Sequence, residues 1–489
     1  MYSSRDSAYL AWARREFLVR LRLDSNSQFA IRWAETPEDA PSGREALQLC
    51  FRPSALPPSP ELLRSAAEGQ FRQDFIRTEY VESAIRLIVG CDVPGVTGWF
   101  LSRAEEYDES ASDVHGRFPC EQSLLVREQL SHCPVVDLMV DQVAEAVLEA
   151  GRQVGVELQR VEPWPDNKRC AVCLTHDVDD CLESAIRYAF TRLVAAGYHF
   201  AGGRWAVAAS RLRQFWKTLR TGIGYQWSAF QSLLDLEAEF GFRATFFALS
   251  LEEPVAREGT RHVRRYSLRN RRVQNLLRHF VEEGNEVGLH ASYGAMASES
   301  LVKEEAQRLR ECTTSPIRTH RHHYLRARVP ETFRAYEGAG LIYDATLGWS
   351  PDTGIRAGSL LPFRMYDLSQ GRELNVWECG MHMMDTSLMK GDRERRHIER
   401  FEMLMEAAKR VHGLFVLLYH PTNLIREDPR HFCDVYAEML RRLSGDSEVW
   451  VAPVGTVMDH HVAWREGLVK SHVAETSEVF RETDGSKEV

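Results

Sequence analysis

At 489 residues the chain exceeds the usual size of one domain, and its 44% hydrophobic content is ample for a buried core. A formal net charge of -9 argues against a generally nucleic-acid-binding surface, and ten scattered cysteines suit a reduced interior rather than a disulfide framework. Charges interrupt the N-terminus where a secretion signal needs a continuous apolar run, and no stretch reaches the roughly 18 to 20 apolar residues of a membrane-spanning helix. A cytoplasmic location is therefore expected, with no nucleic-acid partner and no transmembrane segment.

Residues 1–165 mix short apolar runs with breaks such as the Pro-rich stretch 53–60, and are expected to form a smaller α+β domain of unknown role. Polar-aromatic clusters at Trp99–Tyr107 and His115–Pro119 can serve either packing or substrate contact. Val135 begins a helical pattern, and Trp164-Pro165 reads as a linker. From about residue 169 strands and helices alternate, which implies a parallel sheet with crossover helices. Expected strands are 170–179, 244–249, 286–290, 318–326, 341–346, 373–378 and 414–420. Helices are expected at 273–283, 299–311, 331–338, 393–411 and 429–443. Seven or eight strands point to a distorted (β/α) barrel over residues 166–475, with the chemistry at the strand ends. A helical insert at about 181–243 interrupts it, and residues 476–489 read as a disordered tail. Within the insert, Arg211–Arg220 is basic and amphipathic. It suits a solvated face with an apolar stripe, an anionic membrane surface or a phosphorylated carrier.

The first strand of this region, Arg169-Cys-Ala-Val-Cys-Leu-Thr-His-Asp-Val-Asp-Asp180, is apolar until it ends in three carboxylates and a histidine. Alternation puts Asp177 and Asp179 on one face and His176 on the other. Two carboxylates on one face suit a base beside a metal ligand, and an Asp-rich turn or helix cap would read the same. Cys170 and Cys173 form a single CxxC inside the apolar run and are expected in the core. Four later strand ends carry polar clusters: His290 with Ser292 and Tyr293; Arg318 through Arg326, including His320, Arg321, His322, His323 and Tyr324; Tyr343-Asp344, continued by Arg356; and His420. Asp, His, Arg and His at successive strand ends form a candidate site.

The order Thr175-x-Asp177-x-Asp179, Gly-Leu-His290, an Arg-rich strand, Asp344 and an apolar strand ending in His420 resembles the polysaccharide deacetylase family, the NodB-homology or carbohydrate esterase family 4 enzymes. The likeness covers about residues 169–460, and the N-terminal part resembles that of a bacterial subgroup carrying this domain. It implies one divalent metal, usually Zn2+, polarising a carbonyl and water. Asp177 would be the catalytic base, Asp179 and His290 metal ligands, His420 the general acid, and Arg321 the residue that holds the base. Asp344 would orient His420 or serve a turn. The chain departs from the family at Gly294, where a second histidine usually stands four residues after the first. Strand alternation places His323 on the face of Arg321, making it the preferred third ligand, with His322, His320 and His382 as substitutes. Weaker substrate-binding assignments are Tyr324, Arg326, Arg356, Ser292 and Tyr293, with Glu378 and Asp385 bordering the cleft. His176 reads as structural.

The resemblance implies removal of an N-linked acyl group, acetyl first, from an amino sugar or glycan precursor in bacterial surface glycan synthesis. The expected partner is an acylated amino sugar, a sugar nucleotide or a carrier-linked saccharide, with peripheral membrane contact allowed. Deformylation or O-deacetylation in the same site, or a degraded domain that only binds glycan or a partner, are the alternatives.

Overall fold

The computed structural model describes residues 7–24, 29–32, 46–52, 54, 56–81, 84–107, 112–179, 185–221, 225–250, 266–350, 352–388, 393–424 and 432–481. In the N-terminal part a four-stranded sheet is built from β1 (Phe29–Arg32), β2 (Leu47–Phe51), β3 (Ile76–Val81) and β4 (Ala84–Val89), in the order β1-β2-β4-β3. β3 runs antiparallel to β4 and the other pairs are parallel. The helix Val135–Val154 supplies Val136, Val140, Val143 and Val147 to the same core as Leu49, Leu87 and Val89. Their spacing of three and four residues is that of one helical face.

The second sheet contains β5 (Cys170–Val178), β6 (Thr245–Leu249), β7 (Glu286–Ala291), β8 (Thr319–His322), β9 (Tyr343–Asp344), β10 (Phe363–Asp367), β11 (Arg372–Glu378), β12 (Met383–Met384), β13 (Leu414–Leu418) and β14 (Val449–Val451). β5 to β9 pair in sequence and in parallel. β13 returns to the other edge of β5, and β14 pairs with the start of β5. The curl closes through one chain segment. β11 lies parallel to β9, Cys379 and Met381 donate to the carbonyls of Asp344 and Leu347, and His382 then donates to that of Val416 as β12 joins β13. The result is a distorted barrel of seven staves, with β10 pairing antiparallel to β11 outside the closed wall.

β5 is buried along its whole length. Its Ala171 and Cys173 face the interior with Phe247 and Val416, whereas Cys170, Val172 and Leu174 pack under the surrounding helices. Both CxxC cysteines are free thiols in the core. The interior is tight at Gly288, where a Cβ would lie 2.6 Å from Thr319 Oγ1 and 2.7 Å from the Phe247 ring. Glycine is required there because backbone and ring meet.

The first helix, Ser7–Leu21, joins the two parts. Its Tyr9 and Trp12 belong to the barrel's outer core, Trp12 lying 4.8 Å from the Tyr366 ring, while Phe17 and Leu21 belong to the N-terminal core. Beneath it Glu16 accepts from Arg20 at 2.9 Å and from Arg465 at 2.7 Å, and all three are buried. Arg20 also donates to Ser359, whose hydroxyl donates to Asp137.

The insert after β5 holds three helices, Ala185–Ala201, Trp205–Thr221 and Tyr225–Glu239. The expected strand 318–326 stops at His322, because Tyr324 takes a left-handed conformation (φ 63°) inside a short turn over His323–Leu325. β10, β12 and β14 were not anticipated, being short or off the barrel wall. The helix expected from residue 429 begins at Cys433, and residues 425–431 lie outside the described residues. The final helix runs over Val454–Arg481, six residues into the expected tail, and residues 482–489 lie outside the described residues.

Candidate active site

Parallel pairing in the order β5-β6-β7-β8 brings the ends of β5, β7 and β8 to the same mouth of the barrel, with His290 in register with Arg321. On β5 the odd positions face inward. Asp177 is buried, and its Oδ1 accepts from Arg321 Nη1 at 2.9 Å. The same nitrogen reaches Thr175 Oγ1 at 2.9 Å, Arg321 Nε donates to the Ala345 carbonyl at 2.8 Å, and the guanidinium lies 4.5 Å from the centre of the Phe247 ring. Arg321 is thus fixed from three sides. Burial raises the Asp177 pKa, but His290, Arg321 and His420 together outweigh burial and hold it below the ordinary carboxylate value.

Asp179, one step past the end of β5, meets His290 and His323. Its Oδ1 lies 3.3 Å from His290 Nε2 and 3.4 Å from His323 Nε2, and the ligand atoms of all three residues lie within 4.8 Å of one another. Three donors at zinc-ligand distances with tetrahedral angles stand about 3.4 Å apart. Asp179 Oδ1 is buried and accepts no hydrogen bond, an orphaned acceptor that a cation would satisfy. His290 Nδ1 donates to the Arg321 carbonyl at 3.1 Å, which leaves Nε2 as its ligand atom. The donor set fits a divalent metal. Burial raises the Asp179 pKa, and the adjacent His290, His323 and His420 pull it well below the usual range. Burial lowers the His290 pKa, and Asp177 and Asp179 raise it further than that, so the net shift is upward.

His323 is the third residue of this cluster, and the other histidines considered for it fall elsewhere. His322 Nδ1 pairs with the Tyr336 hydroxyl at 2.8 Å, the His320 ring packs 4.0 Å from the Tyr336 ring, and both are buried on the helix-facing side of β8. His382 Nδ1 accepts from the Val416 backbone at 3.0 Å, in the closing segment. The turn that ends β8 at His322 still leaves His323 on the side of Arg321. At Gly294 a Cβ would meet only Leu301, at 3.9 Å.

His420 follows β13, with its Nε2 3.9 Å from Asp179 Oδ2. The carboxylate beside it is Asp385, not Asp344. His420 Nδ1 and Asp385 Oδ1 are 2.8 Å apart, the His420 backbone N–H donates to Asp385 Oδ2 at 2.8 Å, and Asn423 donates to the same oxygen at 2.9 Å. Asp344 cannot take this role, because its pairing with His320 and Glu378 turns it outward, where Thr346 donates to it and His320 Nε2 lies 3.2 Å away. Burial lowers the His420 pKa, but Asp385, Asp179 and Asp177 raise it to about 10. In chelator-treated protein, a histidine NMR titration should show His420 protonated through neutral pH, titrating near 10. In Asp385→Asn the titration should fall toward the ordinary histidine range of about 6.5. An unchanged His420 titration in that variant would remove Asp385 as its partner. The linked stability has a fixed sign: it is present below about 6.5 and is lost as the pH rises through about 10.

The remaining candidates form the rim or brace it. Tyr324 is exposed beside His323, with ring centres 4.6 Å apart. Tyr293 lies under Arg326, whose guanidinium sits 3.8 Å from its ring centre, and Arg326 also donates to the backbone carbonyls of Tyr293 and His115. Ser292 is buried, and its backbone N–H donates to Glu305 at 2.9 Å. Arg356 is not available to an anionic substrate. It is buried in a two-pronged bond with Glu106 of the N-terminal part (2.9 and 2.6 Å), and Arg103 braces Glu106 while donating to the Arg356 carbonyl at 2.6 Å. The Trp99–Tyr107 motif is therefore a clamp. His176, between the Tyr419 carbonyl at 2.6 Å and Glu237 at 2.7 Å, is structural as expected.

The His115–Pro119 motif reaches the rim. His115 Nδ1 lies 3.2 Å from the Tyr293 hydroxyl, and Arg117 donates to the Tyr324 carbonyl at 2.7 Å. Beside it a cavity of about 240 Å³ is lined by Asp113, Arg117 and Glu121 from the N-terminal part and by Trp349, Ser350 and Arg356 from the barrel. One wall stands next to Tyr324. Another is tied, through the bond from Ser387 to the Ser350 carbonyl, to the turn that holds Asp385.

Fold and site together define a distorted (β/α) barrel with an Asp-His-His cluster at its mouth. About three fifths of the chain is similar to solved polysaccharide deacetylases. One from Mycobacterium smegmatis, described as putative, shares 19% identity over 61% of this chain and 92% of its own, with a TM-score of 0.41. A probable one from Pseudomonas aeruginosa shares 14% over 61% and 93%, with a TM-score of 0.40. An allantoinase shares 15% over 62% and 94%, with a TM-score of 0.41. Residues 28–151 match a family of unknown function, DUF7033. No curated protein matches the chain. Among the described residues no helix is long and apolar enough to cross a membrane.

Proposed function

We propose that this chain is a metal-dependent hydrolase that removes an N-linked acyl group, acetyl first, from an amino sugar or glycan precursor. The observation that carries the reading is the junction of three arrangements at one mouth: the Asp179-His290-His323 cluster, the Arg321-held Asp177 and the Asp385-held His420. A divalent cation, zinc by its two imidazoles and one carboxylate, would polarise the scissile carbonyl and acidify a water. Asp177 takes the proton of the attacking water on Oδ2, since Oδ1 is engaged by Arg321 and Oδ2 faces His290 Nε2 at 3.7 Å. His420, with Nδ1 on Asp385, presents Nε2 to protonate the departing nitrogen. The polar rim of Tyr324, Arg117 and Glu121, together with Trp349, suits the hydroxyl-rich body of a sugar. The motif order set out above supports the sugar amide over other acyl groups.

The deciding experiment is acetate release from N-acetylated sugars, sugar nucleotides and carrier-linked saccharides, before and after chelation and zinc return. Release that depends on the metal is expected; a zinc-loaded protein inert toward every amide would overturn the reading. For the ligand set, His323→Ala should weaken zinc binding by more than about 100-fold, because loss of an outer-shell partner alone costs about 10- to 100-fold. Unchanged zinc affinity by competition with a chromogenic chelator would remove His323 from the site.

A further inference from the structure

The insert between β5 and β6 opens with a helical hairpin, Ala185–Ala201 and Trp205–Thr221, turned at Gly202 and Gly203. Each helix is about 25 Å long. The hairpin has the reverse of the usual polarity. Among the described residues its buried positions are small or polar: Ala189, Ala196, Ala208, Ser210, Arg211, Gln214 and Thr218. Its large apolar side chains face outward. Nine of the fourteen exposed large apolar side chains among the described residues lie on these two helices.

Their placement follows two patterns. Tyr198, Phe200 and Trp205 cluster at the tip, with Phe200 and Trp205 edge to face at 4.6 Å and Trp205 62% exposed. Leu212, Trp216 and Leu219, spaced by four and three residues, form an exposed stripe along the second helix. Arg213, Lys217 and Arg220 follow the same spacing one position further on, so an exposed cationic row borders the apolar one. Over residues 185–221 the sequence has six arginines and one lysine and neither aspartate nor glutamate, in a chain whose net charge is -9.

We infer that the hairpin docks on an anionic lipid bilayer surface, with the Phe200–Trp205 tip and the Leu212–Trp216–Leu219 stripe entering the interface and Arg213, Lys217 and Arg220 meeting lipid phosphates. An apolar face alone would suit many partners. An apolar stripe flanked by a cationic row, with no acid on either helix and aromatic side chains at the tip, has the composition of an interfacial helix. It also opposes self-association, since two such faces would bring like charges together. The first helix of the hairpin begins six residues after Asp179, which lies at the end that carries the candidate site, so docking would bring that mouth to the bilayer.

The test is co-sedimentation of the full chain with vesicles of pure phosphatidylcholine and with vesicles of mixed phosphatidylcholine and phosphatidylglycerol, at low and high salt. Binding to the mixed vesicles, weakening as salt rises, is expected. Trp205→Ser with Trp216→Ser, and separately Arg213→Glu with Lys217→Glu and Arg220→Glu, should each weaken it by about tenfold or more. These side chains are exposed, so the variants should keep the wild-type circular dichroism and zinc content. No binding to the mixed vesicles at low salt, or full binding by both variants, overturns the inference. So does a wild-type dimer in sedimentation velocity that Trp205→Ser with Trp216→Ser turns to monomer, since a second copy would then cover the face. None of these readouts depends on hydrolysis, so the inference and the proposed activity fail separately.

Discussion

Asp177→Asn should lower acyl hydrolysis by about 10²- to 10⁴-fold, the range that a positioned proton acceptor contributes. The fold should be untouched. An asparagine carbonyl oxygen can still accept from Arg321 Nη1, so the bond at 2.9 Å survives and Arg321 remains held by the Ala345 carbonyl and the Phe247 ring. Zinc content should also survive, because the three closest ligand atoms belong to Asp179, His290 and His323. What is lost is an oxygen able to take a proton. Turnover and zinc content measured on one preparation check this. Activity within about tenfold of wild type would remove Asp177 as base, and loss of zinc together with activity would make it a ligand instead.

The largest effect on stability is expected at Glu16. It is buried between Arg20 and Arg465, and its replacement by alanine takes the carboxylate from the buried Arg465 guanidinium and leaves Arg20 with Asp137 alone. Breaking a buried ion pair from one side costs about 3–5 kcal/mol, more than either charge contributes when paired. Glu16→Ala should therefore lower the unfolding free energy by about that amount, read as a fall in the denaturant midpoint at constant slope. The pH dependence has the opposite sign to that of His420. Burial raises the Glu16 pKa, but Arg465 and Arg20 pull it below the ordinary value of 4.5. Its contribution is present above 4.5 and is lost as the pH falls through the depressed value. A loss below about 1 kcal/mol would show that solvent reaches the pair.

The barrel and half of the site were legible in the sequence because they rest on local periodicity. Alternation along β5 puts Asp177 and Asp179 on one face and His176 on the other, and the same rule, with Arg321 set against Asp177 by the family resemblance, selects His323 over its histidine neighbours. It works at His323 even though the strand ends one residue earlier. Asp385 was harder, because its function depends on the chain crossing from β9 to β13, a long-range event that no window of sequence carries. Asp344 stood at the right distance along the chain, but its pairing partner His320 already faces outward. The N-terminal motifs show a third case. Arg103, Glu106, His115 and Arg117 are noticeable as polar residues among aromatics, yet only the barrel surface they meet separates the clamp at Arg356 from the rim at Tyr293 and Tyr324.

The seam of the barrel joins architecture to chemistry. The residues that stitch it, Cys379 to Met384, lead directly into Asp385, so the segment that closes the wall also carries the carboxylate that holds His420. The Asp-His-His cluster comes from the opposite, continuously paired side of the wall. On the proposed function, a chain with its seam ajar would still hold a cation while having no oriented acid. In such a protein, metal occupancy reports on the formed half of the cylinder and turnover reports on its closure.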